Sequence, residues 1–511
     1  MTEDTHSNKS QSDSKLIKTS ALPSALPSSA TAAHSATSTT SAPIAPSARA
    51  SLLSLMIALF SAVIAFQLNV SMLSPALPAM QRELNTTDSY IGLTQTIFFT
   101  SAALFSLFLP RLADIVGRKK VLFSMLLIAT VGSVISALSL NAKMLMFGRV
   151  LQGAAGPVVP LVLIMLHVRV KDKRHYAKLM AVLTSVNGGI AGIDALLGGA
   201  IACSFGFRSV FVCIALACAI AAILILAKTE DSSVENTPRM DWLGVFLLSL
   251  AFLCAYMSIN ELQKLSNSNF AFVLILAFSA IVLFAIFWNV ERKKEISVSK
   301  LVKPMISTHY LRQRRTWGLL STTLFTMTGV FAIANGILPK LAQDSHFGAG
   351  LDLSVVSFVT LTPYAIIGFI FGPVTGVLAG KFGYRIVLQF GIMFSMLTLF
   401  ASAFLLKYPS ALSLLAVSIC LGIVYSGVTN IMLNGLGIVL SPKDNPGYLP
   451  GLNAGAFNLG AGLSFALLYA SFTVFDNLFA GNCGYLASII VGAATLALAL
   501  ICSMFIPKIE G

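Results

Sequence analysis

The chain has 511 residues, 56% of them hydrophobic and only 11% charged, with a mean hydropathy of +0.84. A soluble fold carries roughly 25% charged residues, and a soluble core of this size cannot hide so much apolar surface. A soluble enzyme, a disordered scaffold and a secreted disulfide domain are therefore excluded, leaving an all-α polytopic membrane protein. The net charge of +14 arises from 34 Lys+Arg against 20 Asp+Glu. The basic residues sit in short segments between apolar runs, which reads as a topology signal and not as nucleic-acid binding.

In chain order, residues 1–50 hold 33 Ser, Ala, Thr and Pro and no aromatic residue. Such a stretch cannot bury enough apolar surface to offset its ordering entropy, so a disordered cytoplasmic tail is expected, without a signal peptide. From Ser51 onward, apolar runs of about 20 residues predict membrane-crossing helices. They lie at 51–72, 89–109, 121–140, 143–167, 178–203, 208–227, 241–259, 270–290, 316–338, 353–378, 384–405, 410–440, 448–474 and 484–506, fourteen in all. The basic connections are 169–178 and 291–315, the second with eight Lys/Arg; the loops 75–88 and 339–352 carry one Arg and one Lys. This bias predicts both termini in the cytoplasm, in an inner or plasma membrane.

An internal repeat is visible. PRLADIVGRK at 110–119 and GVLAGKFGYR at 376–385 align without gaps at an offset of 266, sharing Leu112/Leu378, Ala113/Ala379 and Gly117/Gly383. The expected domains are a six-helix bundle at 51–227, an inserted helix pair with its cytoplasmic linker at 228–315, and a second six-helix bundle at 316–511. A substrate site is expected between the bundles near the midplane. The seven cysteines form no CxxC, the histidines show no metal-binding spacing, and no GxxxxGK[ST] loop is present. No metal, cofactor or self-contained ATPase is expected.

Three segments carry a family likeness. LADIVGRK at 112–119 is similar to the loop motif G-x-L-a-D-r-x-G-r-k, matching Asp114, Gly117, Arg118 and Lys119. GRVLQG at 148–153 is similar to a helix-4 motif, matching Arg149, Gln152 and Gly153. LNVSMLSPALP at 68–78 ends in the Ala-Leu-Pro of a helix-1 motif. On these the chain resembles the major facilitator superfamily, in its fourteen-helix drug:proton antiporter branch, over about 51–506. Two positions depart: Asn69 stands where helix 1 normally carries Asp, and DALLGG at 194–199 keeps Gly198 and Gly199 but has Asp194 and Ala195 in place of Gly-Pro.

The resemblance implies a gating loop at Asp114, Gly117, Arg118 and Lys119, with Asp114 pairing with Arg118 or facing a helix N-terminus of the other half. Arg149 is expected inside helix 4, about 9 Å from its start, facing a cavity or snorkelling outward. Asp194 is expected about 13 Å from the outer end of helix 5, on one stripe with Asn187, Ala191 and Gly198. Gly188 and Gly192 point elsewhere, toward a close helix contact. Arg149 and Asp194 are expected to interact and to couple protons; a static pair or a contact to a cationic substrate are the alternatives. Asn69, Gln152, Asn187, Asn430, Asn434, Asn453 and Asn458 are candidate cavity residues. Gly368, Gly372, Gly376 and Gly380 are candidates for a packing seam in helix 10, with Pro373 as its hinge.

The first functional reading is a secondary transporter exporting small amphipathic compounds by proton antiport through alternating access. The alternatives are metabolite uptake by proton symport or uniport, and a polytopic membrane enzyme. The expected partners are a small-molecule substrate, protons and membrane lipid, with the chain acting as a monomer.

Overall fold

The computed structural model describes residues 46–170, 172–230, 240–262, 269–296, 308–405, 408–441, 448–479 and 483–508. The expected tail lies outside them, save for its last few residues. All described regular structure is helical. Twelve helices are long and apolar enough to cross a membrane: α1 Leu52–Glu83, α2 Tyr90–Val116, α3 Arg118–Ala137, α4 Ala142–Arg169, α6 Phe207–Lys228, α8 Phe270–Glu295, α9 Arg314–Gln343, α10 Leu353–Phe382, α11 Tyr384–Phe404, α12 Ala411–Val439, α13 Tyr448–Leu478 and α14 Cys483–Ser503. Two more helices, α5 Lys173–Phe205 and α7 Trp242–Leu262, occupy the fifth and seventh expected places. Their described apolar stretches, Ile190–Phe205 and Trp242–Ser258, are shorter than a full span. Length and composition thus give twelve spans among the described residues, not fourteen.

The repeat is visible in the backbone. Gly117 ends α2 with φ +118° and Gly383 ends α10 with φ +83°. Both residues stop one helix and start the next in a conformation that a side chain disfavours. The packing repeats as well: α3 lies against α4 and α6, as α11 lies against α12 and α14. Helix α2 packs on α13, and α10 packs on α5, the same contact with the halves exchanged. Helices α7 and α8 pack mainly on each other. We propose on this basis a division into 51–227 and 316–511 around the insert 228–315.

Several helices are broken where they meet the centre. Helix α4 tightens at Gly153–Ala155, just before Pro157 and Pro160, which each lack an N–H to donate back. A side chain at Gly153 or Gly156 would collide with α2, at Ser101 and at the Ala102 main chain. Helix α9 widens by one residue at Ile333–Ile337, and α12 widens over Gly422–Asn430. The 410–440 run forms one long span, Ala411–Val439, that contains the second of these. Such widened turns rotate everything beyond them and recur at functional sites.

Helix α10 differs from expectation. It runs unbroken through Pro373 and is interrupted at Thr360, between Leu353–Val359 and Leu361–Phe382. Pro363, which cannot donate to the Val359 carbonyl, accounts for the break three residues ahead of it. The glycine seam is also shorter than expected. Gly368 lies against Ser426 and the Gly422 carbonyl of α12, and Gly372 against Ile431, but Gly376 and Gly380 face open space. Neighbours approach only the first half of the strip.

Candidate functional site

A cavity of about 210 Å3 lies between the two repeats. Helix α1 contributes Phe66, Gln67, Val70 and Ser71; α4 contributes Gly156, Val159, Pro160 and Leu163; α5 contributes Ala191. The second repeat supplies Phe331 and Asn335 from α9, Tyr364 and Ala365 from α10, Tyr425, Ser426, Asn430 and Asn434 from α12, and Asn453, Phe457 and Asn458 from α13. No charged side chain lines it among the described residues. The wall is partly aromatic, with the Tyr364 and Tyr425 rings stacked 6.2 Å apart at 18° and Phe331 edge-on to Phe457 at 5.9 Å. It also offers the carboxamides of Gln67, Asn335, Asn430, Asn434, Asn453 and Asn458 among its lining residues. The widened turns of α9 and α12 carry Asn335, Tyr425, Ser426 and Asn430, four lining residues that regular helices would direct elsewhere.

Several of these amides have a defined sense. Asn335 donates from Nδ2 to the Phe331 carbonyl at 3.0 Å, and Asn434 donates to the Asn430 carbonyl at 2.9 Å. Asn453 accepts from Thr323 at 2.6 Å and donates to the Leu433 carbonyl at 3.2 Å. A flipped amide would set oxygen against oxygen, so these orientations are fixed by main-chain acceptors. Asn458 donates to Ser106 of α2 at 3.4 Å, across the two repeats.

The expected candidates separate into two groups. Asn430, Asn434, Asn453 and Asn458 line the cavity. Asn69 and Gln152 do not: both are fully buried and contact other side chains instead. Asn69 donates to the Ala65 carbonyl at 2.9 Å and to Cys218 Sγ at 3.4 Å. Gln152 accepts from Arg149 at 2.8 Å and donates to Ser133 at 2.8 Å. Asn187 falls on α5, but its side chain is outside the described residues.

Arg149 is fully buried. Its guanidinium reaches Gln152, Gln95 Oε1 at 2.7 Å and the Asn69 carbonyl at 3.5 Å, and lies over the Phe98 ring at 4.0 Å. None of these partners is a carboxylate. Asp194 accepts instead from the Ser71 hydroxyl at 2.6 Å, and its Oδ1 has no partner. The expected Arg149–Asp194 contact is therefore absent. The reason is α1, whose Asn69 touches the base and whose Ser71, two residues on, touches the acid. Equal depth on α4 and α5 brought the two to one level but on opposite sides of α1. Two further members of the expected α5 stripe do face α1 and the cavity: Ala191 lines the cavity, and a side chain at Gly198 would strike the Met72 carbonyl. Gly192 turns the other way, against Ala365 of α10, where Thr362 donates to its carbonyl at 2.9 Å.

Asp114 pairs within its own loop, with Arg118 Nη2 at 2.8 Å and Nε at 3.1 Å, across the Gly117 turn; Lys119 follows in the first turn of α3. The opposite end of the molecule is tied shut between the repeats. Lys340 of α9 pairs with Asp88 at the start of α2 at 2.7 Å and sits 4.7 Å from the centre of the Phe472 ring. Gln343 donates to the Pro75 carbonyl at 3.0 Å, and Ser357 of α10 to the Ala195 carbonyl at 2.8 Å. Beside them Asp344 accepts from Tyr485 at 2.9 Å. Burial works to raise the Asp344 pKa, but the His346 and Phe347 amides, Tyr485 and Lys340 outweigh it and hold it below the usual value. Its contribution is thus present at neutral pH and lost as pH falls through that lowered value. Asp88→Asn is expected to favour opening of this end by about 1 kcal/mol, near fivefold, seen as faster labelling of Asn335→Cys by a membrane-impermeant thiol reagent.

Sequence reasoning missed Gln67, Ser71, Gln95, Asn335, Tyr364 and Tyr425. Gln67 and Ser71 stand at i and i+4 around Asn69, a polar spacing that was available. The aromatic pair was not, because its rotation depends on the widened turn in α12.

The family model of the Major Facilitator Superfamily matches residues 59–262 and 264–465. The chain belongs to the Major Facilitator Superfamily. A uridine/deoxyuridine transporter of Lactococcus lactis subsp. cremoris is 54% identical over 462 residues, covering 89% of this chain and 95% of that one. The multidrug resistance protein Stp of Mycobacterium tuberculosis is 23% identical over 405 residues, covering 78% and 72%. A solved structure of the nucleoside transporter NupG superposes with a TM-score of 0.58 over 88% of this chain and 98% of that one, at 13% identity, a likeness of fold. The chain is a multi-pass membrane transporter and not an enzyme. The expectation of drug efflux by antiport is corrected here: only distant relatives carry it, whereas the 54% identical relative is named for nucleosides.

Proposed function

We propose that this protein takes up pyrimidine nucleosides, uridine and deoxyuridine, across the plasma membrane by proton symport. The observation that carries this is the uncharged cavity lined by both carboxamides and aromatic rings, together with a 54% identical uridine/deoxyuridine transporter. Uracil is a flat neutral ring whose N3–H lies between two carbonyls, an edge that a carboxamide matches with paired hydrogen bonds. Its faces suit Tyr364, Tyr425, Phe331 and Phe457, and the ribose hydroxyls suit the fixed amide oxygens of Asn335 and Asn434. A nucleotide would bring phosphate into a cavity without a cation, at high desolvation cost.

With both termini cytoplasmic, the Lys340–Asp88 end is external and the cavity stands closed to the outside. This is the inward-facing state of an alternating-access cycle. Asp194, buried beside the cavity, takes the coupling proton; Arg149 braces α1 from its other side.

The test is uptake of labelled uridine by cells lacking their own uridine carriers. Expression of this chain is expected to raise accumulation at least tenfold, with competition by deoxyuridine, none by uridine monophosphate, and collapse on adding a protonophore. Uptake equal to the empty-vector control, or export of dyes in its place, would dismiss the nucleoside reading.

A further inference from the structure

We infer that Ser71 is a polarity relay that reports the protonation state of Asp194 to the substrate cavity through Gln67. The inference rests on the symport reading and specifies how its proton and substrate sites communicate. Three groups form one chain. Gln67 Nε2 donates to Ser71 Oγ at 2.8 Å, and Ser71 Oγ donates to Asp194 Oδ2 at 2.6 Å. Gln67 and Ser71 line the cavity, whereas Asp194 does not. All three are buried, so each has few alternative partners. Asp194 Oδ1 is buried without a partner, and Ser71 Oγ also lies 3.2 Å from the Gln67 carbonyl.

A serine hydroxyl has one hydrogen and two lone pairs. With Asp194 ionised, that hydrogen is held by the carboxylate, and Ser71 offers the amide only a lone pair. Gln67 must then turn its NH2 to Ser71 and its oxygen to the cavity. With Asp194 protonated, the acid hydrogen moves into the Asp194–Ser71 bond and the serine hydrogen is released. It is then free for the Gln67 carbonyl or the amide oxygen, and the NH2 group can face the cavity. Protonation thereby converts an acceptor at the cavity wall into a donor. A uracil carbonyl, which only accepts, is favoured by the protonated state, so the proton binds before the nucleoside. The charged and titratable side chains facing this stretch are Arg149 of α4 and Cys218 of α6, which both contact Asn69, and Tyr364 of α10 and Tyr425 of α12 across the cavity. None of them touches Ser71 or Gln67.

The experiment measures the uridine KM between pH 5.5 and 7.5 in vesicles containing the full chain. In the wild-type protein KM is expected to rise about three- to tenfold with pH, the worth of one neutral hydrogen bond. Ser71→Ala is expected to flatten this profile and Ser71→Thr, which keeps the hydroxyl, to restore it. Gln67→Met removes the other end of the relay and is expected to be flat too, which guards against a folding defect of one variant. The same pH dependence in wild type and in either flattening variant overturns the relay while leaving uridine transport standing. A flat wild-type profile also overturns it. A wild-type protein that moves no uridine is a failure of the nucleoside reading, and the relay falls with it.

Discussion

Arg149→Met is expected to reduce uridine transport at least a hundredfold while lowering stability by no more than about 3 kcal/mol, because relief of the buried charge offsets part of the loss of its hydrogen bonds to Gln95 and Gln152. A buried cation without an anion is held at a desolvation cost that its hydrogen bonds offset only in part. Here those bonds come from two glutamine oxygens and one long contact to a carbonyl, with a ring face completing the shell. Methionine fills similar volume and removes the charge. Thermal unfolding in detergent, set beside transport in vesicles, separates the two effects. A variant that is strongly destabilised would mean that Arg149 is present to hold the fold. The functional consequence follows from α1: its Asn69 carbonyl is the point the guanidinium reaches, and Gln67 and Ser71, on either side of that residue, border the cavity.

Asp194→Asn is expected to abolish uphill accumulation, leaving equal uridine concentrations inside and out. Exchange of internal for external uridine, which requires no net proton movement, should fall less. The amide holds the Ser71 hydroxyl without titrating, so the variant stays in one polarity. Stability should not fall, because a buried carboxylate with one unpartnered oxygen is replaced by a neutral group. Gradient-dependent accumulation at the wild-type level in this variant would remove Asp194 from the coupling mechanism.

Both residues show what was legible in the sequence and what was not. Apolar runs locate helices along the membrane normal, and the repeated loop located Gly117 and Gly383 at equivalent turns. Intramembrane amides at 430, 434, 453 and 458 were readable as groups needing polar company, and the structure has them at the cavity. Rotation about each helix axis was not readable. Arg149 and Asp194 share a level, but α1 lies between them, and no apolar periodicity encodes that. Asn69 drew attention as a position where an acid is missing, yet the flanking Gln67 and Ser71 are the ones that meet Asp194 and the cavity. Widened turns in α9 and α12 shift the register of everything after them, so Tyr364–Tyr425 stacking could not be anticipated. Pro373 is the expected hinge of α10, but the break lies at Thr360, ahead of Pro363, because the gap opens near the carbonyl that this proline leaves unbonded.

The proposed substrate class rests on the chemistry of the wall and on similarity to a uridine/deoxyuridine transporter, not on the loop motifs. An export pump for lipophilic cations has use for an acid in its cavity. This cavity has none among its lining residues.

The most direct measurement is uridine movement into sealed vesicles containing only this protein. With the exterior made acidic and no other energy source, labelled uridine should enter and exceed its external concentration until the pH gradient decays. Filling at the same rate and to the same level with and without the gradient would contradict proton-coupled uptake, and exclusion of uridine under both conditions would contradict the nucleoside assignment.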